Sequence, residues 1–169
     1  GGQFLLHSSS IFLFLFTSFS TLSYAQDESY YFKDYNYVTN IKSVKFHNAD
    51  LDLSYPIVDL NSGYLTLNFD DIEADVKDYR YKIVHCDGDW TPSDLTYFDF
   101  VERFDEADIE NYEFSMNTNQ QYTNFELVLP NNDVKWTKSG NYLLIIFDDT
   151  IDDPIITRRF VVVEPLVNI

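Results

Sequence analysis

The sequence has a single cysteine, Cys86, in 169 residues. That excludes an internal disulfide and any zinc site built on cysteine pairs. A lone Cys in an exported chain is either buried and inert or an accessible thiol, and burial is expected here. Bases are scarce: 11 Lys and Arg stand against 28 Asp and Glu, giving a net charge of −17. Such a chain repels phosphate backbones and anionic head groups, so nucleic acid and direct membrane insertion are excluded. A neutral, basic or cation-bridged partner stays open. Glycine and proline number five each. No phosphate loop, zinc ligand set or nucleic-acid motif is present, and no cofactor is expected. No apolar run reaches the about 18–20 residues of a spanning helix.

What remains is a chain that can build a core. Hydrophobic residues make up 45% and aromatics 18%. With many β-branched residues and little glycine, that favours strands over helices. The length suits one domain.

Gly1 to Ala25 reads as a signal peptide. Ile11 to Phe16 is an unbroken apolar run, no charge precedes Asp27, and Ser23-Tyr24-Ala25 puts small residues at the −3 and −1 positions of a cleavage site. The basic stretch and starting Met that precede such a core are missing, as in a sequence clipped at its front. The mature chain is expected to begin at Gln26 and to be exported.

Residues 26–40 form an acidic, Tyr-rich arm carrying Tyr30, Tyr31, Phe32, Tyr35 and Tyr37 without helical or strand period. It is expected to lie across the domain and cover apolar surface. The alternative is docking on a partner, since Tyr offers large contact area at low entropy cost.

Alternating patterns then predict strands over residues 41–164. Val44 and Phe46 share one face; Leu65, Leu67 and Phe69 another; Tyr112, Phe114 and Met116 another; Phe125, Leu127 and Leu129 another. Ile57 to Leu60 follows Pro56 as an edge-type strand. Tyr79 to Cys86 and Ile155 to Val163 are further strands. Tyr142 to Phe147 is apolar on both faces, the pattern of a central strand. Asp70 to Asp78 and Asp148 to Pro154 read as acidic connections. Asp87 to Asn111 is a long connection in which Phe98, Val101 and Phe104 are expected to share one face of a brief helix. The whole predicts an all-β, immunoglobulin-like, two-sheet antiparallel β-sandwich of about 7–8 strands. Residues 165–169 read as the start of a linker to a further part.

Candidate chemistry is thin. Asp87, Asp89 and Asp94 crowd one turn and could offer oxygens to Ca²⁺, but without the EF-hand order; solvated turns are expected instead. His85 and Cys86 are strand neighbours and point to opposite faces, so they are no dyad. If Ile83 faces the core, so does His85, bonded to a backbone group. Trp90 is expected to lie as a lid on the core, with a sugar-stacking platform as its alternative. One of Arg158 and Arg159 is expected to face out and pair with acids.

One stretch is specific. V-H-C-D-G-D-W-T-P-S-D-L (Val84 to Leu95) resembles the motif of the type IX secretion system plug protein family. N-I-K-S-V-K-F-H, P-I-V-D-L-N-S-G, Y-E-F-S-M-N-T, S-G-N-Y-L-L and D-P-I-I-T-R-R-F-V-V-V-E resemble the same family in the same order. The positions that carry the resemblance most sharply are His85, Cys86, Asp87, Asp89, Trp90, Pro92, Ser139, Gly140, Asn141, Tyr142, Arg158 and Arg159. At position 88, where a small residue such as Ala fits the pattern, this chain has Gly.

The resemblance implies a non-enzymatic component of the type IX protein secretion system of Bacteroidetes. It would sit in the periplasm against the inner side of the outer membrane and plug the periplasmic mouth of the translocon barrel. Possible partner contacts are Tyr30, Tyr31, Phe32, Tyr35, Tyr37, Phe98 and Phe104. The alternatives are an exported carbohydrate-binding sandwich using Trp90 and nearby Tyr, which a row of exposed aromatics on one face would favour, and an exported hydrolase, which needs two converging carboxylates.

Overall fold

The computed structural model describes Gly2 and residues 32–164, other than 52–53, 76 and 116–118. Tyr30, Tyr31, Met116, residues 165–169 and all of the expected signal peptide but Gly2 lie outside the described residues. Among the described residues ten strands and one helical turn form: β1 (Tyr35–Asn36), β2 (Ile41–Asn48), β3 (Ile57–Asp59), β4 (Leu65–Asp71), β5 (Arg80–Cys86), α1 (Tyr97–Phe100), β6 (Glu106–Asp108), β7 (Asn111–Phe114), β8 (Thr123–Leu129), β9 (Gly140–Phe147) and β10 (Pro154–Val163). One sheet runs β6-β5-β9-β10, with the short strands β1 and β3 sharing the far edge of β10; the other runs β2-β4-β8-β7. All pairings are antiparallel except that of β3 with β10. This is the expected β-sandwich with ten strands rather than seven or eight. The additions are β1 and β6, two and three residues long, too short for an alternating pattern to reveal.

Strand alternation builds the core. Leu65, Leu67 and Phe69 of β4 face Phe125, Leu127 and Leu129 of β8 in register, and all are buried. Tyr81 and Ile83 of β5, Tyr142, Leu144 and Ile146 of β9, and Phe160 and Val162 of β10 close on them from the other sheet. Each such side chain contributes about 1.5–3 kcal/mol of transfer free energy. β9 lies between β5 and β10 and is buried on both faces from Tyr142 to Phe147, as its composition predicts. Its outward residues Leu143, Ile145 and Phe147 join Cys86 in a second cluster, capped by Phe32, Val84, Trp90 and Ile151.

Several expectations are corrected. The alternation of β4 runs on to Asp71, so Asp71 is not part of a solvated connection but fully buried. Its Oδ1 accepts hydrogen bonds from Asn40 Nδ2 (2.9 Å) and the Glu73 amide (3.0 Å), and its Oδ2 from the Tyr79 hydroxyl (2.8 Å). Lys77 Nζ stands 3.2 Å away. Burial alone would raise the Asp71 pKa, but these hydrogen bonds outweigh it and hold the carboxyl below its ordinary value. Burial, with the Asp71 bond added, pushes the Tyr79 phenol far up. Tyr112 and Phe114 are in phase with the core but half-exposed, because β7 lies at the sheet edge. Phe98, Val101 and Phe104 do not share a face: α1 is a single turn, so Phe100 and Val101 are buried while Phe98 and Phe104 stand in solvent.

Candidate functional site

The segment after β5 is a turn locked by its own polar groups. The Asp87 amide donates to the Thr91 carbonyl (2.8 Å), the Trp90 amide to the Asp87 carbonyl (3.0 Å) and the Ser93 amide to the His85 carbonyl (3.0 Å). The Asp89 carboxylate accepts from the Thr91 amide (3.0 Å) and hydroxyl (2.6 Å). Those bonds hold its pKa below the ordinary value. A bridge from Cys86 to Pro92 closes the base of the turn. Trp90 takes the left-handed backbone (φ 69). A Cβ at Gly88 would meet nothing within 4 Å, so Ala fits there.

His85 points into the core as its phase on β5 predicts, and is 8% exposed. Its Nδ1 is 2.9 Å from the Ser93 hydroxyl, not bonded to the expected backbone group. Rings of Phe100 and Tyr142 flank it at 5.8 and 5.1 Å. Its Nε2 is buried with no hydrogen-bond partner, against Gly140. The ring fits only because position 140 has no side chain: a Cβ there would lie 2.5 Å from Nε2. The Ser93–His85 distance is that of a nucleophile and a base, but among the described residues no carboxylate hydrogen-bonds the imidazole. The contact ties the turn to the sandwich.

Trp90 faces the outer cluster rather than the main core. It packs over the apolar residues around Cys86, and Arg159 stacks on its ring with the guanidinium 4.5 Å from the centroid. Arg159 Nε donates to the Phe32 carbonyl (2.7 Å), and its amide to Asp34 Oδ1 (2.7 Å). Arg158, in the opposite phase, donates to the Tyr35 carbonyl (2.9 Å) and Asn36 Oδ1 (2.6 Å). Burial lowers the Arg158 pKa, with Asp34 opposing the shift. The two arginines therefore hold the N-terminal arm, their guanidinium groups through carbonyls and an amide oxygen and the Arg159 backbone amide through the Asp34 carboxylate. The arm covers apolar surface through Phe32 and enters the sheet as β1. Asn141 Nδ2 donates to the Asp87 carbonyl (3.1 Å), Ser139 Oγ to Glu164 (2.8 Å) and the Tyr142 hydroxyl to the Lys138 carbonyl (2.7 Å).

The fold thus brings the three distant motif segments together. His85 to Pro92, Ser139 to Tyr142 and Arg158-Arg159 meet around the β5–β9–β10 ladder, where they fix one turn and one arm. The aromatic contact candidates are not gathered into one surface. Tyr35 and Tyr37 lie beyond β10, while Phe104 adjoins β6, four strand spacings or roughly 19 Å away. Of the described candidates Phe98 is the most exposed at 72%, and its ring lies tilted against Tyr97 with centroids 3.8 Å apart. Among the described residues no three His, Cys, Asp or Glu converge as a metal site. The buried Asp71 was missed by sequence reasoning; the signal was the unbroken alternation Leu65-Leu67-Phe69-Asp71.

Residues 41–164 match the family model described as type 9 secretion system plug protein 1st domain. A crystal structure of a hypothetical protein from Parabacteroides merdae is similar at 34% identity with a TM-score of 0.75. The alignment covers 79% of this chain and 34% of that one, so the chain spans about a third of the solved relative's length. Comparison with curated proteins gives no match.

Proposed function

The chain belongs to the type 9 secretion system plug protein family, in that family's first domain, and from that premise we propose that it acts as a non-catalytic secretion component that helps occlude the periplasmic mouth of the outer-membrane translocon barrel. The observation that carries the reading is the match over the whole sandwich, residues 41–164. The motif residues support it by what they do. His85, Trp90, Asn141, Arg158 and Arg159 are engaged in holding a turn and an arm, as in a rigid docking body rather than a reaction centre. The signal-peptide pattern before Gln26 suits a periplasmic place, and the charge of −17 suits solubility there and recognition by a basic or polar surface.

A sugar-binding sandwich loses its proposed platform, since the Trp90 ring is packed against the outer cluster and under Arg159. The test is co-purification: the protein, tagged and expressed in a bacterium with a type IX system, retains the translocon barrel, identified by mass spectrometry. Recovery of other envelope proteins without the barrel contradicts the reading.

A further inference from the structure

β7 forms the outer edge of the four-stranded sheet and pairs only with β8. Its register sets Asn111, Tyr112, Glu113 and Phe114 opposite Glu126, Phe125, Asn124 and Thr123. Just beyond it, the Ser115 amide donates to the Tyr122 carbonyl (2.9 Å). In an antiparallel ladder the hydrogen-bonded residues alternate. Asn111, Glu113 and Ser115 therefore turn their backbone groups to β8. Those of Tyr112 and Phe114 point away from the sheet, and no further strand lies there among the described residues.

A row of rings leads to that edge. Phe69 of β4 stacks on Phe125 of β8 with centroids 5.2 Å apart; Phe125 meets Tyr112 at 5.7 Å; Tyr112 meets Phe114 edge-on at 5.7 Å. Phe69 and Phe125 are fully buried, but Tyr112 and Phe114 are 40% and 47% exposed. One strand spacing further, about 4.8 Å, an inward apolar side chain of an added strand would cover both rings. On the opposite face of β7 stands Glu113, and Glu110 precedes the strand; both are exposed. A second copy of the chain is the wrong occupant, because pairing along β7 would set these carboxylates against their equivalents in a protein already at −17.

We propose that β7 is a strand-addition site for an extended segment of a partner protein in which apolar residues alternate with Lys or Arg. The backbone of Tyr112 and Phe114 supplies the ladder, the two rings receive the apolar side chains, and Glu113 on the opposite face meets the basic ones. The site goes beyond the secretion reading and is independent of it.

The test uses the whole chain and a capped synthetic peptide of about 7 residues, valine and phenylalanine alternating with lysine. A scrambled peptide of the same composition is the control. The alternating peptide is expected to bind and to slow amide exchange of Tyr112 and Phe114 at least about tenfold, with the scrambled one at least about tenfold weaker. Tyr112→Pro removes an N–H that faces away from β8, so it spares the sandwich, checked by circular dichroism, and abolishes binding. Glu113→Lys leaves the edge intact and shifts the preference to a peptide with glutamate in place of lysine, which keeps the test decisive if the proline variant unfolds. Equal binding of the scrambled peptide, an unchanged preference in Glu113→Lys, or no binding up to about 1 mM overturns the proposal.

Discussion

A Cβ at position 140 would lie 2.5 Å from His85 Nε2, on a backbone already at φ +147. Gly140→Ala therefore combines overpacking with backbone strain, each worth about 1–3 kcal/mol. Urea unfolding is expected to show a loss of about 3 kcal/mol. Adding His85→Ala relieves the clash, so the double variant loses less than the sum of the singles. Asp71 is the second sensitive residue. Its folded pKa is lowered, so its stabilising contribution is complete above the unfolded value near 4 and is lost as pH falls through the folded one. Asp71→Asn replaces one of two buried accepting oxygens with an NH2 group, so Asn40, the Glu73 amide and the Tyr79 hydroxyl can no longer all be satisfied, while Lys77 keeps Glu73. The variant is expected to cost about 2 kcal/mol at pH 7. The gap between parent and variant closes below about pH 4, which unfolding curves at pH 7, 4 and 2.5 would reveal. A constant gap across that range contradicts the assignment.

At the scale of the element, β10 organises the domain's edge. β1 pairs with one part of it antiparallel and β3 with the other part parallel. Arg158 and Arg159 fix the arm, and the arm's Phe32, together with Trp90, covers the cluster that contains Cys86. Cys86 is 2% exposed, so the thiol is expected to react with a disulfide reagent only as fast as the domain opens. Trp90→Ala should speed the reaction about tenfold or more, through the lost packing and the lost Arg159 contact. An unchanged rate would show that the indole is not the cover.

The long strands were legible in the sequence because alternation over five or more residues is a strong signal, as in Leu65 to Phe69 and Phe125 to Leu129. β9 was legible from its run of apolar residues. β1 and β6 were not, since strands of two and three residues show no alternation of their own and, unlike β3 with Pro56 before it and a turn after it, these two have no flanking signal. The motif was legible as sequence, but not the joining of Trp90 to Arg159. That contact depends on which face of β10 each arginine takes, and the bulge between Pro154 and Ile156 separates that phase from anything countable. The shared face expected of Phe98, Val101 and Phe104 failed because a helical period was assumed over a segment that makes one turn.

At the scale of the molecule, the chain is a β-sandwich with an N-terminal arm clamped to one sheet edge and a strongly acidic composition, the features the proposed docking role draws on. Its sharpest polar groups are turned inward or paired within the fold. The charge of −17 favours fast, salt-sensitive association with a basic or polar rim. The most direct measurement is the ion conductance of the purified translocon barrel in a planar bilayer, before and after the protein is added to the periplasmic side. The account predicts a saturable fall in conductance that weakens as salt is raised. Conductance that stays unchanged at saturating protein would contradict it.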